Sequence, residues 1–363
     1  MAKKQTICLN MIVKNEAGII EECLASVKKF VDSWVIVDTG STDGTQEVIR
    51  ACMADLPGEL HERPWKDFAH NRNEALDLAR QQADYSLFID ADERLVAPPQ
   101  FKMPKFTDDY YEIFVKEASA VSCSRAFLVR NEAPLKWEGV LHEHIASEKS
   151  LVLDIAGVYI FSDSSKGNRS ADPKKYLKDA WVLEEALKKE PDNVRYIFYL
   201  ANSYLNAQEF GMALERYEQR AKMGGFDQEV FCSLNMIAHL QRTLGMDPEI
   251  FLESFEKAHA FRPSRAEPLF YKGNHYIEMG DFEKAYPVLK RAALIPPCSD
   301  CLFINQEIGN YMGACLFYAC CWRLKKYEEA KKMCEVLLLN PSLPSDVSKL
   351  IYNDLVLLQK EVG

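Results

Sequence analysis

The chain has 363 residues, which at ~150 residues per domain makes two to three domains, large enough to bury a core without staples. Hydrophobic residues at 48% and charged residues at 27% exclude a disordered, collagen-like or coiled-coil protein. Lys and Arg number 44 against 54 Asp and Glu, a formal charge of -10. That argues against a general nucleic-acid or anionic-membrane surface while leaving room for a local basic pocket.

Residues 1–165 alternate apolar strand runs with helix-period patterns, which predicts an α/β domain. Thr6–Val13 reads as a buried strand, and Glu16–Val31 as a helix with apolar Ile20, Cys23, Leu24, Val27 and Phe30. A strand over Trp34–Asp38, a polar turn over Thr39–Gly44 and a helix over Gln46–Met53 follow. A strand near Glu59–Glu62, a helix over Phe68–Gln82 and a strand over Tyr85–Ile89 complete a pattern whose crossovers imply parallel pairing. Tyr110–Lys116, Arg125–Arg130 and Val158–Phe161 are short strand candidates, and the Ser/Gly/Asn-rich stretch 162–170 marks the domain boundary.

From Pro173 the pattern is helical. Tyr204, Phe210, Ala213, Tyr217 and Ala221 recur as Tyr276, Phe282, Ala285, Leu289 and Ala292, 72 or 71 residues later, and Tyr327, Ala330 and Pro341 echo them. That is about twice a 34- to 36-residue unit, and the pattern resembles tetratricopeptide repeats, with a degenerate unit around Ile237–Pro263. No run of ~18 apolar residues is present, and Met1–Thr6 enters the first strand without a cleavage pattern, so a cytosolic protein with no transmembrane segment is expected. Eleven cysteines, most in apolar runs, suit reduced buried thiols. Cys298-Ser-Asp-Cys301 is half of a zinc motif and lacks a second pair, so it reads as a loop.

Ligands of parallel α/β sheets bind beyond the carboxyl ends of the strands. Three such ends are polar here: Lys14-Asn15-Glu16, Asp38–Asp43 and Asp90-Ala-Asp92-Glu93. In an extended chain Asp90 and Asp92 point to one side, and Mg²⁺ or Mn²⁺ fits such a carboxylate pair while keeping positions open for phosphate oxygens. Asp38 closes its strand with no structural need for a charge and can accept from a base or ribose, whereas Ser41, Thr42 or Asp43 can cap the next helix.

Taken together, Met11–Ala17, Val35–Thr45, His70-Asn-Arg-Asn-Glu-Ala75 and Leu87–Glu93 resemble, in order, the motifs of the family 2 inverting glycosyltransferases. The tetratricopeptide-like tail resembles one subgroup of that family. The resemblance implies a GT-A fold with a mostly parallel central sheet over 1–165, a linker or lid over 166–172, and a helical repeat domain over 173–363. It further implies that Asp38 contacts the base of a nucleotide-sugar, such as a UDP-sugar, with Asn15 and Glu16 in the same pocket. Arg72 would lie near base or phosphate, Asp90 at ribose and metal, and Asp92 on the metal. Asn71 departs from the family's alanine and puts the positioning of Arg72 in question.

The segment Leu135–Ile145 resembles a later motif of the subgroup. There His142 is a candidate third metal ligand, favouring Mn²⁺, and Glu143 or Glu138 is the candidate base for an inverting transfer. Lys166 and Arg169 lie in the Ser/Gly/Asn loop, which can close over a diphosphate or be a solvated linker. Trp65, Trp137 and Tyr110 could stack on a sugar but fit a core as well. The expected acceptor is a saccharide or a peptide or protein, held partly by the repeats. Two rivals are an interaction scaffold with an inactive transferase-like domain, and a nucleotidyltransferase; for the second, Lys14-Asn-Glu-Ala17 lacks the glycine-rich basic loop.

Overall fold

A computed structural model describes residues 4–117, 121–147, 151–163, 172–300 and 302–362. The chain divides into two compact units, 1–207 and 208–363. In the first, β1 (Ile7–Val13), β2 (Ser33–Asp38), β3 (Gly58–Glu62) and β4 (Tyr85–Phe88) pair in parallel in the order β3-β2-β1-β4. The sheet continues through antiparallel β7 (Val121–Arg130) to β6 (Tyr110–Glu117), then β11 (Tyr159–Ser162) and β5 (Glu93–Val96). Two short pieces complete this half: β10 (Leu151–Leu153) pairs with β6, and β8 (Trp137–Glu138) forms a separate hairpin with β9 (His144–Ile145).

Both β1 and β2 are apolar on both faces because helices cover the sheet. Helix α1 (Ile20–Val27) buries Ile20, Cys23, Leu24 and Val27, one stripe at helical spacing. It is shorter than the sequence pattern predicts, because the backbone of 15–17 is diverted. Asn15 has a left-handed φ of 57°, and the amides of Asn15, Glu16 and Ala17 donate to Ser41, Thr45 and Asp43 instead of starting a helical turn. Helices α2 (Thr45–Cys52) and α3 (Phe68–Ala79) follow, the latter capped by Asp67, whose carboxylate accepts from the His70 amide.

The parallel register fixes where the site lies. Val13 is level with Asp38 and Asp38 with Glu62, and β4 ends two residues before Asp90, so all three polar strand ends emerge at one edge. A helical hairpin, α4 (Lys175–Leu187) and α5 (Val194–Asn206), packs within this unit. It shares the helical pattern beginning at Pro173, yet it belongs to the same compact unit as the α/β half.

The second unit is a series of antiparallel helices. Its members are α6 (Phe210–Lys222), α7 (Asp227–Thr243), α8 (Pro248–Phe261), α9 (Glu267–Glu278), α10 (Phe282–Ala293), α11 (Gly313–Arg323), α12 (Tyr327–Leu338) and α13 (Ser345–Val362). Residues in the left-handed region make three of the turns: Gly245, Gly280 and Lys325, with φ of 72°, 74° and 57°. The repeating small positions Ala213, Ala285 and Ala330 are fully buried. The unit is therefore a tetratricopeptide-like helical domain. Among the described residues of this unit the buried guanidiniums are paired, Arg220 with Glu229 and Arg265 with Glu267 and Asp300. Among the described residues every cysteine is a free thiol, with burial pushing groups such as Cys8 up to about 11; Cys301 lies outside the described residues. Among the described residues no helix is long and apolar enough to cross a membrane.

Gly273 sits where α9 meets α10: a Cβ there would fall 2.4 Å from Leu289 Cδ2 and 2.5 Å from its Cγ. Because Leu289 is fully buried, it has little room to yield. Gly273→Ala gains ~1 kcal/mol of helix propensity but meets an overpacking cost of ~1–3 kcal/mol. Its thermal unfolding midpoint is expected to fall, as calorimetry would read; a rise would show that the contact relaxes.

Candidate active site

The first layer of the site is a set of loops latched to each other. Asn15 Oδ1 accepts from the Thr42 amide at 2.8 Å, Ser41 Oγ from the Asn15 amide at 2.8 Å, and Asp43 from the Ala17 amide at 3.0 Å. Asn15 thus shapes the edge through its backbone and amide, with Glu16 beside it, half-buried. The N-cap of α2 is Gly44, without a side-chain cap, so the capping expected of Ser41, Thr42 or Asp43 is not what they do; Asp43 accepts from the Thr45 amide and hydroxyl, and Ser41 and Asp43 join two strand-end loops. Asp38 is fully buried, and its Oδ1 accepts from the Gly40 and Ser41 amides, each at 2.7 Å. Its Oδ2, also buried, has no hydrogen-bond partner among the described residues. A buried carboxylate oxygen without a donor costs free energy. A ligand N–H would satisfy it, once the surrounding loop yields enough to admit one.

The second layer is a cluster of four carboxylates against two guanidiniums. Arg72, on α3 and 8% exposed, donates through Nη2 to Asp90 Oδ1 at 2.8 Å and through Nε to Glu143 Oε1 at 2.5 Å. Its guanidinium lies 5.0 Å from the Trp137 ring. Arg125, on β7, donates to Asp90 Oδ2 at 2.9 Å and to Glu93. Asp90, flanked by two cations, is held below the usual carboxylate range although burial opposes this. Glu93 is raised to about 8, by burial first and then by Asp90.

Asp92 differs from its neighbours. The chain does not run extended through this motif: the Glu93 amide donates to the Asp90 carbonyl, making a tight turn. The expectation that period-2 geometry sends Asp90 and Asp92 to one side is corrected accordingly. Asp90 turns into the arginines, while Asp92 lines a cleft of about 200 Å³ with Gly18, Ile19, Glu22, Ala91 and Arg94. Asp92 makes no ion pair among the described residues, and burial followed by repulsion from Asp90 raises it to about 6. A carboxylate in that state gains from a cation. With carboxylate oxygens as hard donors and a cleft open to substrate, the residues fit a divalent ion held by Asp92 and completed by phosphate and water oxygens.

The third layer is the β8–β9 hairpin. Trp137 is level with Ile145 and Glu138 with His144, and the intervening loop turns through Gly139 at φ 107° and His142 at φ 52°. Glu143 reaches Arg72, as above; Glu138 is exposed. His142 does not join the acids: its ring stacks on Tyr199 at 3.9 Å, and among the described residues no three His, Cys, Asp or Glu side chains gather as a metal cluster. Its recruitment to an ion would require the loop to move. Lys166, Arg169 and most of the 166–172 linker lie outside the described residues. Trp137 and Tyr110 are core, and Trp65, 42% exposed, packs against Phe68.

Three residues with roles here are given none by the sequence, although Asn71 and Asn73 lie within the His70–Ala75 motif. Arg125 shows only as a charge inside an apolar strand. Asn73 brackets β8, donating to the Trp137 carbonyl and accepting from its amide. Asn71, the departure from the family pattern, is fully buried and accepts from the Lys66 amide while donating to the Pro64 carbonyl and Glu74. It ties the approach to α3 and so supports the helix on which Arg72 stands.

Comparison with known proteins agrees with this layout. Residues 8–101 match the model described as glycosyl transferase family 2. The SPbeta prophage-derived glycosyltransferase SunS of Bacillus subtilis is 26% identical over 206 residues, 53% of this chain and 48% of that protein. A TPR repeat-containing protein of Synechococcus elongatus is 33% identical over 144 residues, 38% of this chain and 34% of that one. The lipopolysaccharide core biosynthesis glycosyltransferase LpsC of Rhizobium meliloti is 33% identical over 96 residues, 26% and 34% of the respective chains. The chain spans about half or less of the length of these curated relatives.

Two outcomes are expected. Removing Arg72 leaves Asp90 and Glu143 short of a buried cation, so Arg72→Ala should lose ~3–5 kcal/mol at neutral pH. Because Asp90 is depressed in the fold, its stabilisation is present above the unfolded value of 3.8 and is lost at lower pH. The deficit, read by denaturant titration, should therefore shrink in acid. Asp92 has the opposite sign. Raised from 3.8 to about 6, it destabilises the fold when ionised, so Asp92→Asn should melt at or above the wild-type temperature at pH 7.5. That advantage should vanish below pH 3.8, where both states are protonated.

Proposed function

We propose that this chain, a family 2 glycosyltransferase domain joined to tetratricopeptide-like helices, transfers a sugar with inversion from a nucleotide-sugar to a saccharide or peptide acceptor. The observation that carries the metal-dependent form of this reading is Asp92. It is the carboxylate of the cluster that makes no ion pair among the described residues, and it lines the cleft. Supporting it is the donor-less Oδ2 of Asp38, an acceptor suited to an imide N–H such as that of uracil, which favours a UDP-sugar. Asn15 and Glu16 border the same pocket.

In this reading Asp92, with Asp90 behind it, holds Mg²⁺ or Mn²⁺; when bound, the ion neutralises charge on the departing diphosphate. Lys166 and Arg169 are proposed to close over that diphosphate. Glu143 removes the acceptor proton as the acceptor oxygen bonds to the anomeric carbon. The bond from that carbon to the phosphate oxygen breaks, and the nucleotide diphosphate leaves with its electron pair. Glu143 is favoured over Glu138 because Arg72 ties it directly to Asp90. We place the protein in the cytosol, and we propose that the helical domain helps to hold the acceptor.

The test is direct: purified full-length protein is incubated with Mn²⁺ and a panel of nucleotide-sugars, with release of the nucleotide diphosphate and UDP affinity both measured. Turnover or binding of at least one donor is expected; neither with any donor overturns the reading and leaves a scaffold. Asp38→Asn should weaken UDP binding on the order of 10–100-fold, the worth of a hydrogen bond to a charged group, and an unchanged affinity would refute the base assignment. Mn²⁺ affinity, titrated without nucleotide, should fall as pH drops below about 6, since Asp92 must lose its proton to bind.

A further inference from the structure

Helix α5 comes into contact with the loop that carries Glu143, and it does so through one helical turn. Arg195 donates through Nε at 3.1 Å and Nη2 at 2.9 Å to the His142 carbonyl. The Val140 amide donates to Tyr196 Oη at 3.3 Å. Tyr199, 8% exposed, stacks on the His142 ring at 3.9 Å and 11°, and the Arg195 guanidinium lies 4.8 Å from the Tyr199 ring. The loop they grip is bent unfavourably. His142 occupies the left-handed region at φ 52°, which is unfavourable for a residue with a Cβ and persists only where surroundings over-determine it. At Gly139, with φ 107°, a Cβ would meet the Leu141 carbonyl at 3.3 Å.

We propose that α5 is a positioning element of the transferase: Arg195, Tyr196 and Tyr199 fix the 139–143 loop so that Glu143 keeps its place on Arg72. This rests on the transferase reading above and adds a role for the first helical hairpin. That hairpin shares the tail's pattern in sequence and serves the catalytic half in structure. Without the clamp, the strained loop would relax, and Glu143 would spend less time where an acceptor proton can be taken.

The test compares Tyr199→Ala, Arg195→Ala and Tyr199→Phe in the full chain. Proton NMR of the histidine ring resonances, with His142 assigned through His142→Gln, reads the stack directly. An upfield-shifted His142 is expected in the wild type and Tyr199→Phe, and an ordinary shift in Tyr199→Ala. With a donor found by the panel above, kcat should fall roughly 10–100-fold in Tyr199→Ala and Arg195→Ala, donor KM and UDP affinity should stay near wild type, and Tyr199→Phe should restore turnover. Arg195→Ala is the milder change, and it decides the matter should Tyr199→Ala unfold. An unshifted wild-type His142, or an active wild type whose Arg195→Ala variant keeps full kcat, overturns the clamp and leaves the transferase reading intact. A wild type that neither binds nor turns over any donor overturns the transferase reading first.

Discussion

The structure of the site depends on one buried cation. Arg72 is anchored on α3, and its guanidinium must be compensated because an unpaired charge at that depth is not tolerated. It solves this by drawing together two carboxylates far apart in sequence, Asp90 at the end of β4 and Glu143 on the β8–β9 hairpin. The hairpin is also held by Asn73, by the core packing of Trp137 and Ile145 and by α5, but Arg72 is what links Glu143 to Asp90. The spacing between donor edge and candidate base is therefore set by a charge contact, with the ring of Trp137 as its floor.

Much of the architecture was legible because it is written in local pattern. The continuous apolar runs of β1 and β2 and the polar residues at their ends announce parallel buried strands and a binding edge before any coordinate is known. The repeat of small and aromatic positions does the same for the helical domain. What sequence could not supply was direction. The motif at 90–93 looks extended, and the tight turn that separates Asp90 from Asp92 follows from the Glu93 amide reaching back to the Asp90 carbonyl, a contact no spacing rule encodes. Likewise α1 loses its first turn to hydrogen bonds offered by a loop some 26 to 29 residues away.

Arg72 shows a second limit. A motif can mark a residue as important while leaving its partner open. The arginine expected near nucleotide is engaged with two carboxylates and a ring, and the Asn71 beside it, which looked like a perturbation, braces the loop before α3. Arg125 had no motif at all, because its partners come from a strand end that is adjacent only in the folded sheet. Long-range charge pairing is the part of this site that sequence reading does not reach.

The acids around the edge are differentiated by these pairings. Asp90 accepts from two guanidiniums and is committed to holding the edge together; Glu93 is buried and pushed toward its neutral form. Glu143 shares the same arginine through one oxygen. Asp92 receives the repulsion of Asp90 without an ion pair of its own among the described residues, and it lines the cleft. Four carboxylates set near one another would otherwise repel alike. Two arginines placed on one side of the group are enough to make some of them structural and to leave one in need of a positive partner, and the fold secures that asymmetry by building the arginines into α3 and β7, where their ion pairs go to Asp90, Glu93 and Glu143 and Arg125 only partly offsets the charge of Asp92.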